Sequence, residues 1–439
     1  MATNTNHIPR SYNLWAAISF VVATMVGTGV FTSLGYQLDS TDSFFSIMLL
    51  WALGGLAAFT GALSYVALAM RMPRSGGEYH FFSRLYGPAL AYVAGLITIV
   101  VGFAAPIAAS AMAFEKYALN IAFLPEYFWS IGLILFALCI HLFDVKKGGD
   151  FTSVATLIKL VLIVVFIVAG LSYATPQSLE YMPQSRDLDL MMSSGFGVSL
   201  VYVTYAYTGW NAAIYVLDEI QNPKRNIPLA ILFGTAIVTI IYLLLHFVFL
   251  YTTPMEAMVG KIDVAYEPSK NIFGATGGKW ISAIIAVGLI PNVSSMIVSS
   301  SRVVRRMGED YSILSIFQKT NAKSVPYWAL LLIGVLSVSF VLVSTFKETI
   351  EYAGFILSFF GLFTVLGLFL HKHRHPEIPM PFGRWFYPLI PLIFVSIKVL
   401  IITYLIWNDS NRIWHGLLTF GVAFLLYFIS TMGRVTGDE

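Results

Sequence analysis

The sequence predicts an all-α integral membrane protein with twelve transmembrane helices, of which helices 1 and 6 are discontinuous. Charged residues make up 11% of the 439 residues and hydrophobic residues 57%, whereas a soluble protein carries about 25% charged residues. Uncharged runs of about 20 residues recur along the chain, which is the length that crosses a bilayer. This composition excludes a soluble enzyme, a disordered chain and a nucleic-acid-binding protein.

Twelve apolar segments between charge clusters are long enough to cross a bilayer, and we number them spans 1 to 12. They cover residues 14–37, 44–70, 88–114, 127–144, 152–174, 191–217, 228–252, 280–301, 327–346, 350–371, 385–407 and 413–432. Span 1 is too long for a cleaved signal peptide, so we expect it to stay in the mature protein.

Lysine and arginine positions predict the orientation, because both residues are enriched in cytoplasmic loops. With the N-terminus inside, 17 of the 26 lysines and arginines fall in cytoplasmic segments and 7 in outer segments, while Lys159 and Lys398 lie within spans. The chain is therefore expected to be a multi-pass protein of the cell membrane with both termini in the cytoplasm. A missed span would place every later loop on the opposite side of the membrane and remove the excess of lysine and arginine in the cytoplasmic loops. This excess therefore also favours an even number of spans.

Spans 1 and 6 each contain a glycine-bearing interruption, at residues 26–31 (VGTGVF) and 205–211 (YAYTGWN). Glycine is unfavourable in a helix interior, and a broken helix in lipid leaves amides and carbonyls that need partners. Such amides suit a carboxylate and such carbonyls suit an ammonium group, so paired interruptions five spans apart indicate a transporter site. The alternative is that these glycines permit close helix packing.

Lys159 lies deep within span 5. A lysine at the bilayer centre costs about 2.5–3.5 kcal/mol or more, so it needs partners there. The alternative is a side chain that extends to the interface. That alternative is the better interpretation for Lys398 in span 11, where we expect an interfacial or lipid contact.

The chain resembles the amino acid–polyamine–organocation (APC) superfamily of transporters, in particular the L-type amino acid transporters and their bacterial homologues, over nearly its whole length. The segments that support this are residues 27–31 (GTGVF), 73–79 (PRSGGEY), 206–211 (AYTGWN), 219–228 (EIQNPKRNIP) and 300–302 (SSR). The resemblance implies a five-plus-five inverted repeat. Its parts are 1–174 (N-terminal tail and helices 1–5), 175–371 (helices 6–10) and 372–439 (helices 11–12 and the C-terminal tail). Helices 11 and 12 would be peripheral.

The resemblance also implies a substrate site at the two breaks. The substrate carboxylate is expected at Met25, Gly27, Thr28 and Gly29. The amino group is expected at Tyr205, Ala206 and Thr208, with Asn211 beside them. Tyr205 matches the aromatic residue that caps the site from outside, and ordinary packing is the alternative.

In the same family a lysine on span 5 takes the place of the sodium ion of sodium-coupled relatives, between spans 1, 5 and 8. Lys159 is accordingly expected to bond carbonyls of span 1 and hydroxyls of span 8, with Ser294, Ser295 and Ser299 as candidates. It would act either as a fixed tether in an exchanger or as a proton carrier in a symporter.

Acidic residues are missing from the interior of the spans, and a buried cation without a carboxylate is costly. Neutral L-amino acids are therefore the favoured substrates. The resemblance implies that they are moved by alternating access without sodium. Cationic amino acids or polyamines are the alternative.

A channel is the alternative of another class, and no span carries a charged pore stripe. An enzyme is not expected, because the spans lack constellations of His, Asp and Glu.

The expected partners are a small-molecule amino acid and the lipid bilayer, with no nucleic acid, cofactor or metal. His371, His373 and His375 lie in a basic stretch that would repel a metal ion. Eukaryotic L-type transporters use a cysteine before span 4 to link a heavy chain. The single cysteine here, Cys139, lies within span 4, so no disulfide-linked heavy chain is expected.

Overall fold

A computed structural model describes residues 12–143, 145–173, 175–321, 325–383, 386–408 and 411–432. These residues form helices and connecting loops, and contain one isolated parallel β-bridge, between Tyr12 and Ile220, but no β-strand. The first half has helices α1 (Leu14–Met25), α2 (Gly29–Gln37), α3 (Phe44–Arg71), α4 (Gly77–Leu85), α5 (Pro88–Ile97), α6 (Ala105–Leu119), α7 (Phe128–Phe143) and α8 (Val145–Tyr173). A π-helical turn, Thr98–Ala104, joins α5 to α6.

The second half has helices α9 (Ser185–Met191), α10 (Ser194–Ala206), α11 (Ala212–Tyr215), α12 (Pro223–Thr252), α13 (Tyr266–Asp310), α14 (Tyr327–Val343), α15 (Phe346–Arg374), α16 (Leu389–Asn408) and α17 (Asn411–Met432). Short 3₁₀ turns occupy Leu217–Glu219, Met255–Ala257 and Ser312–Gln318.

Seven segments of the described chain are helical, long and apolar enough to cross a membrane, counting α1 with α2 and α5 with α6. Four shorter apolar helical segments lie in α7, α8, α14 and α17. All of these coincide with predicted spans, and predicted span 6 falls on the short helices α10 and α11. The structure therefore confirms an all-helical fold of many apolar helices, while the count of twelve stays a prediction.

Polar side chains fix several helix starts in the way that capping requires. Asn13 accepts a hydrogen bond from Ala16 N at 2.9 Å at the start of α1. Thr345 and Glu348 form a reciprocal capping box at the start of α15. The starts of α1 and α15 are thus each fixed by a capping side chain.

Both predicted interruptions are present in the helices. α1 ends at Met25 and α2 begins at Gly29, with Val26 at φ −76° and ψ 78°. α10 ends at Ala206 and α11 begins at Ala212, and between them Gly209 has φ 103°.

Packing brings both breaks to the centre of the helix bundle. α1 packs against α8, α12 and α13, and α10 packs against α2, α3, α15 and α16. α16, which is predicted span 11, packs one face on α3, α10 and α15, while most of its apolar residues lie outside these contacts. Gly61 of α3 leaves room for the Phe394 ring of α16, which a methyl group there would approach to 2.5 Å.

Candidate functional site

The two breaks lie directly against each other. A methyl group added at Gly29 would overlap the backbone of Ala206, and one added at Gly209 would lie 2.8 Å from the carbonyl carbon of Thr24. The φ of 103° at Gly209 is in the region that glycine adopts without strain. Both glycines therefore allow the two breaks to pack closely, and Gly209 also adopts the positive φ of the second break. A side chain at either position would separate the breaks.

The last carbonyls of α1 receive donors from two neighbouring helices. Helix carbonyls at a C-terminus lack partners within their own helix. The Tyr242 hydroxyl, on α12, donates to Met25 O at 2.6 Å and lies 3.1 Å from Ala206 O of the second break. Lys159 Nζ, on α8, donates to Val26 O at 2.5 Å, and its residue is only 4% exposed. An ammonium group at this end of a helix is favourable because the helix dipole is negative there.

Asn292 of α13 completes the carbonyl end of α1. Its Nδ2 donates to Thr24 O at 2.8 Å and to Ala23 O at 3.3 Å, while its Oδ1 accepts from Ser110 Oγ at 2.8 Å. A methyl group at Gly27 would lie 2.7 Å from Asn292 Nδ2, so the glycine makes room for this side chain. The buried Asn292 amide thus links α1, α6 and α13.

The other side of the first break presents donors. Among the described residues, the backbone amides of Thr28, Gly29 and Val30 have no hydrogen-bond partner, whereas Phe31 N donates to Thr28 O at 2.9 Å. Thr28 is 3% exposed, and its side chain does not cap α2. Three adjacent amides at a helix N-terminus form an arrangement that binds carboxylates and other anions.

The second break differs in part from the expectation that its carbonyls are free. Thr208 bonds to Tyr205 O through its backbone N at 2.9 Å and through its Oγ1 at 2.7 Å. A carbonyl oxygen has two lone pairs, so Tyr205 O is fully used. The cause is the short Thr208 side chain, which folds back onto its own turn. The Tyr205 side chain is buried beside that of Thr28.

The serines expected to contact Lys159 are bonded elsewhere. Ser294 Oγ lies 2.6 Å from His141 Nε2. Ser295 Oγ accepts a hydrogen bond from Thr24 Oγ1 at 3.0 Å. Ser299 Oγ donates to Ser295 O at 3.0 Å. The Lys159 stem instead runs beside Gly288, one to two turns earlier on α13. Its Nζ donates to Val26 O, so the carbonyl part of the expectation is present in the structure, and the contact with the serine hydroxyls stays a prediction.

Two cavities adjoin the breaks. An apolar cavity of about 150 Å³ is lined by Lys159, Phe31 and Phe249 among others. A second cavity, of about 100 Å³, is lined by polar groups of the second break and by aromatic rings, and we call it the polar cavity. Its lining includes Glu78, Thr208, Trp210, Asn211, Phe394 and Lys398. Of the predicted substrate-binding residues, Thr208 and Asn211 line the polar cavity, while those of the first break line neither cavity.

Glu78 is the buried carboxylate that the sequence reasoning missed. It is 8% exposed, and Asn211 Nδ2 donates to its Oε1 at 2.7 Å while the Tyr215 hydroxyl donates to its other oxygen. Burial raises the pKa of Glu78. Glu78 comes from the loop between spans 2 and 3, where Gly76 (φ 120°) and Gly77 (φ 54°) turn the chain inward. The adjacent glycine pair was the signal that this loop enters the protein.

The end of span 6 is anchored to loops and to α13. Arg302 Nε pairs with Glu219 Oε1 at 2.6 Å, where the Glu219 side chain is buried and that of Arg302 is mostly covered. Asp218 N donates to Ser75 Oγ at 2.8 Å, and Tyr12 N donates to Glu219 O at 3.0 Å. These contacts give a structural role to the loop motifs at 73–79 and 219–228.

The histidine-rich stretch is used for packing. Arg71 Nε donates to His371 Nδ1 at 2.9 Å. Over the residues that the structure describes, no three His, Cys, Asp or Glu side chains are grouped so that they could hold a metal ion. Cys139 is exposed on α7.

The family profile described as "Amino acid permease" matches residues 12–429. The chain is 24% identical over 412 residues to the b(0,+)-type amino acid transporter 1 of Mus musculus, covering 92% of this chain and 83% of that protein. It is 24% identical over 408 residues to the serine/threonine exchanger SteT of Bacillus subtilis (strain 168), with 90% and 91% covered. It is 23% identical over 436 residues to the human large neutral amino acids transporter small subunit 2, with 96% and 80% covered.

These matches confirm the predicted resemblance to the APC superfamily, and they show transporters rather than enzymes. They cover both breaks and the loops that pack on them. The chain therefore belongs to the amino acid permease family, and it is a multi-pass membrane protein that transports amino acids.

Proposed function

We propose that the chain moves neutral L-amino acids across the cytoplasmic membrane by alternating access, without sodium. The proposal includes twelve spans, a five-plus-five inverted repeat of 1–174 and 175–371, and both termini in the cytoplasm. It includes no disulfide-linked heavy chain. Helices discontinuous at corresponding positions of two five-span halves support this arrangement.

The observation that carries the proposal is the uneven hydrogen bonding of the first break. The carbonyls that end α1 are bonded by Asn292, Tyr242 and Lys159, whereas the amides that begin α2 have no partner among the described residues. A carboxylate supplies what those amides lack, and the break has no comparable need for a cation. The substrate is thus held by its carboxylate at Thr28 and Gly29, with Met25 and Gly27 as backbone neighbours.

The substrate amino group then meets the second break. Tyr205 O is occupied, so we assign the amino group to Ala206 O and to Thr208 O. Ala206 O accepts one hydrogen bond, from the Tyr242 hydroxyl at 3.1 Å, and has a second lone pair for the amino group. Asn211 lies beyond them and contacts the substrate through the polar cavity. Tyr205 packs over Thr28 and closes the site.

The charge of the polar cavity favours a neutral substrate. Glu78 and Lys398 both line it, so their formal charges cancel and a zwitterion enters without a net charge imbalance. Transport of cationic amino acids is the second candidate, because a buried carboxylate at Glu78 is the group that such a side chain needs. Against it, Lys398 lines the same cavity, and its like charge disfavours a cationic side chain there.

Lys159 supports independence from sodium. Its ammonium group bonds Val26 O at the end of α1, which is a position where a sodium ion would otherwise neutralise the negative end of the helix. A fixed tether is consistent with exchange, and a proton carrier with symport. Ser294, Ser295 and Ser299 extend from Lys159 along α13 and form the rest of the proposed coupling region.

Substrate counterflow tests the transport proposal. Proteoliposomes loaded with one unlabelled neutral L-amino acid should accumulate the labelled form, and replacing sodium by choline should leave the rate unchanged. Protein-free liposomes are the control. Uptake that is linear in concentration with no counterflow would indicate a channel, and counterflow restricted to lysine and arginine would favour the cationic alternative.

Substitution of Lys159 separates the two coupling modes. Lys159→Ala should abolish exchange and pH-driven uptake together if the lysine is a fixed tether, but pH-driven uptake alone if it carries a proton. Lys116→Ala is the matched control, because Lys116 is exposed. Unchanged activity of Lys159→Ala in both assays would refute both roles.

A further inference from the structure

Lys398 occupies a position in the structure that its sequence context did not indicate. The sequence favoured a side chain that extends to the lipid interface, but Lys398 is half-buried and lines the polar cavity together with residues of the second break. α16 packs against α3, α10 and α15, so this face of the helix points into the bundle. The lysine is therefore next to the substrate path.

The protein gives Lys398 little compensation for its charge. Its Nζ lies 3.4 Å from Ser358 Oγ and 5.6 Å from the ring centre of Phe394. A contact of 3.4 Å is at the long end for a hydrogen bond. None of the ion pairs in the described part of the chain involves Lys398. Lys159, by comparison, has a carbonyl oxygen at 2.5 Å.

An intramembrane lysine without a counter-ion is costly, and such residues commonly lie on substrate paths. The cavity beside Lys398 has a volume of about 100 Å³. A ligand carboxylate there would give the ammonium group the partner that the protein does not provide. Trp210 and Phe394 offer apolar surface to the rest of the ligand.

Glu78 lines the same cavity, and its carboxylate is held by Asn211 and Tyr215. The cavity thus combines a cation for a carboxylate with an anion for an ammonium group. Thr208 and Gly209 also line it, which makes it continuous with the second break. This combination of charges is complementary to an amino acid zwitterion.

We propose that the polar cavity is a second amino acid binding site, in which Lys398 binds a carboxylate of the ligand and Glu78 faces its amino group. The inference rests on the proposed function, because it concerns the path that the substrate takes from the breaks. The carboxylate bound by Lys398 is either the α-carboxylate of a neutral amino acid or the side-chain carboxylate of an acidic one. Both sources require the same cation.

The test compares the full-length protein with Lys398→Met, Lys398→Gln and Lys398→Arg. Methionine and glutamine remove the charge, and arginine keeps it. Ser358→Ala is the matched control, since it removes the neighbouring hydroxyl and leaves the lysine. Thermal shifts and counterflow are measured with L-serine, L-leucine, L-glutamate and succinate, and the melting temperature without ligand shows whether each variant folds.

We expect at least a tenfold weaker apparent affinity in Lys398→Met and Lys398→Gln, and near wild-type values in Lys398→Arg and Ser358→Ala. A loss for L-serine and L-leucine would identify the α-carboxylate as the bound group. A loss confined to L-glutamate would identify the side-chain carboxylate. Succinate, which has no amino group, should bind weakly to the wild type because Glu78 faces the amino group.

Folded methionine and glutamine variants with wild-type affinity for all the amino acids would overturn the proposal. A loss of the same size in Ser358→Ala would overturn it too, because it would point to packing rather than charge. Absence of counterflow in the wild type with every one of these amino acids is a different outcome. It would contradict the proposed function itself and not the second site alone.

Discussion

Replacing Asn292 by alanine should loosen the first break more than any other single change on α13. The substitution removes the donor to Thr24 O and Ala23 O and the acceptor for Ser110 Oγ. Each buried polar group left unsatisfied costs about 1–3 kcal/mol, so the loss of stability is roughly 3 kcal/mol or more. Because the start of α2 depends on this end of α1, the affinity for the amino acid substrate should fall as well.

A double-mutant cycle measures how much of that loss is shared with Ser110. Ser110→Ala alone should cost about 1 kcal/mol. The double variant should be more stable than the sum of the single changes by about 1 kcal/mol, since it leaves no orphaned hydroxyl. The assay is thermal unfolding of purified protein together with substrate affinity from the ligand-induced shift in melting temperature.

Asn271→Ala is the matched control for Asn292→Ala. Asn271 also bonds a backbone carbonyl and a hydroxyl, Thr252 O at 3.0 Å and Thr253 Oγ1 at 3.1 Å, but it lies far from the breaks along α13. It should lower the melting temperature without changing substrate affinity. If Asn292→Ala left both the melting temperature and the affinity unchanged, the reasoning about the end of α1 would be wrong.

Three further substitutions test other contacts of the breaks. Tyr242→Phe removes the donor to Met25 O, so it should reduce stability by about 1 kcal/mol and slow counterflow. An exchange rate equal to that of the wild type would argue against a role of Tyr242 in joining the breaks. Gly209→Ala should reduce expression of folded protein, measured by size-exclusion chromatography, because a methyl group there both strains the backbone and meets Thr24. Burial raises the pKa of Glu78, so the folded state keeps a proton that the unfolded chain releases, and stability should fall as the pH rises above the ordinary glutamate range. Glu78→Gln should flatten this dependence in melting temperatures taken across acidic and neutral pH, and an unaltered slope would assign it to another group.

The sequence predicted the features that depend on local composition. Apolar runs of the right length located the long helices, and glycines beside polar residues located the breaks at Thr28 and Thr208. Lys159 could be identified because a lone charge in a long apolar run stands out. These signals are carried by neighbouring residues along the chain.

The contacts across the bundle could not be predicted in the same way, because they depend on which helix faces meet. Tyr242 is one of 23 tyrosines, and nothing in its neighbourhood shows that its hydroxyl reaches α1. Asn292 gave a partial signal, as a polar residue after Pro291 inside an apolar span. The serines after it are predicted as partners for Lys159 from the family resemblance and their positions on span 8, which do not give the side-chain direction.

Glu78 and Lys398 show how an interpretation based on spans alone can fail. Glu78 lies in a loop by its sequence position, yet two glycines turn it into the protein. Lys398 lies on a helix expected to be peripheral, yet one face of that helix packs on the bundle, where Gly61 leaves room for Phe394. Both errors arose because the positions were judged by depth along a span and not by lateral packing.

The most direct test of the central claim is whether ligand binding requires a free carboxylate at the first break. The neutral L-amino acid that gives the largest thermal shift should be compared with its carboxamide and with the amine that lacks the carboxyl group, in the wild type and in Lys398→Met. We predict that the amino acid alone raises the melting temperature of both proteins, because the amides of Thr28, Gly29 and Val30 bind its carboxylate and ligand binding stabilises the folded state. Equal shifts with the carboxamide or the amine would contradict the claim.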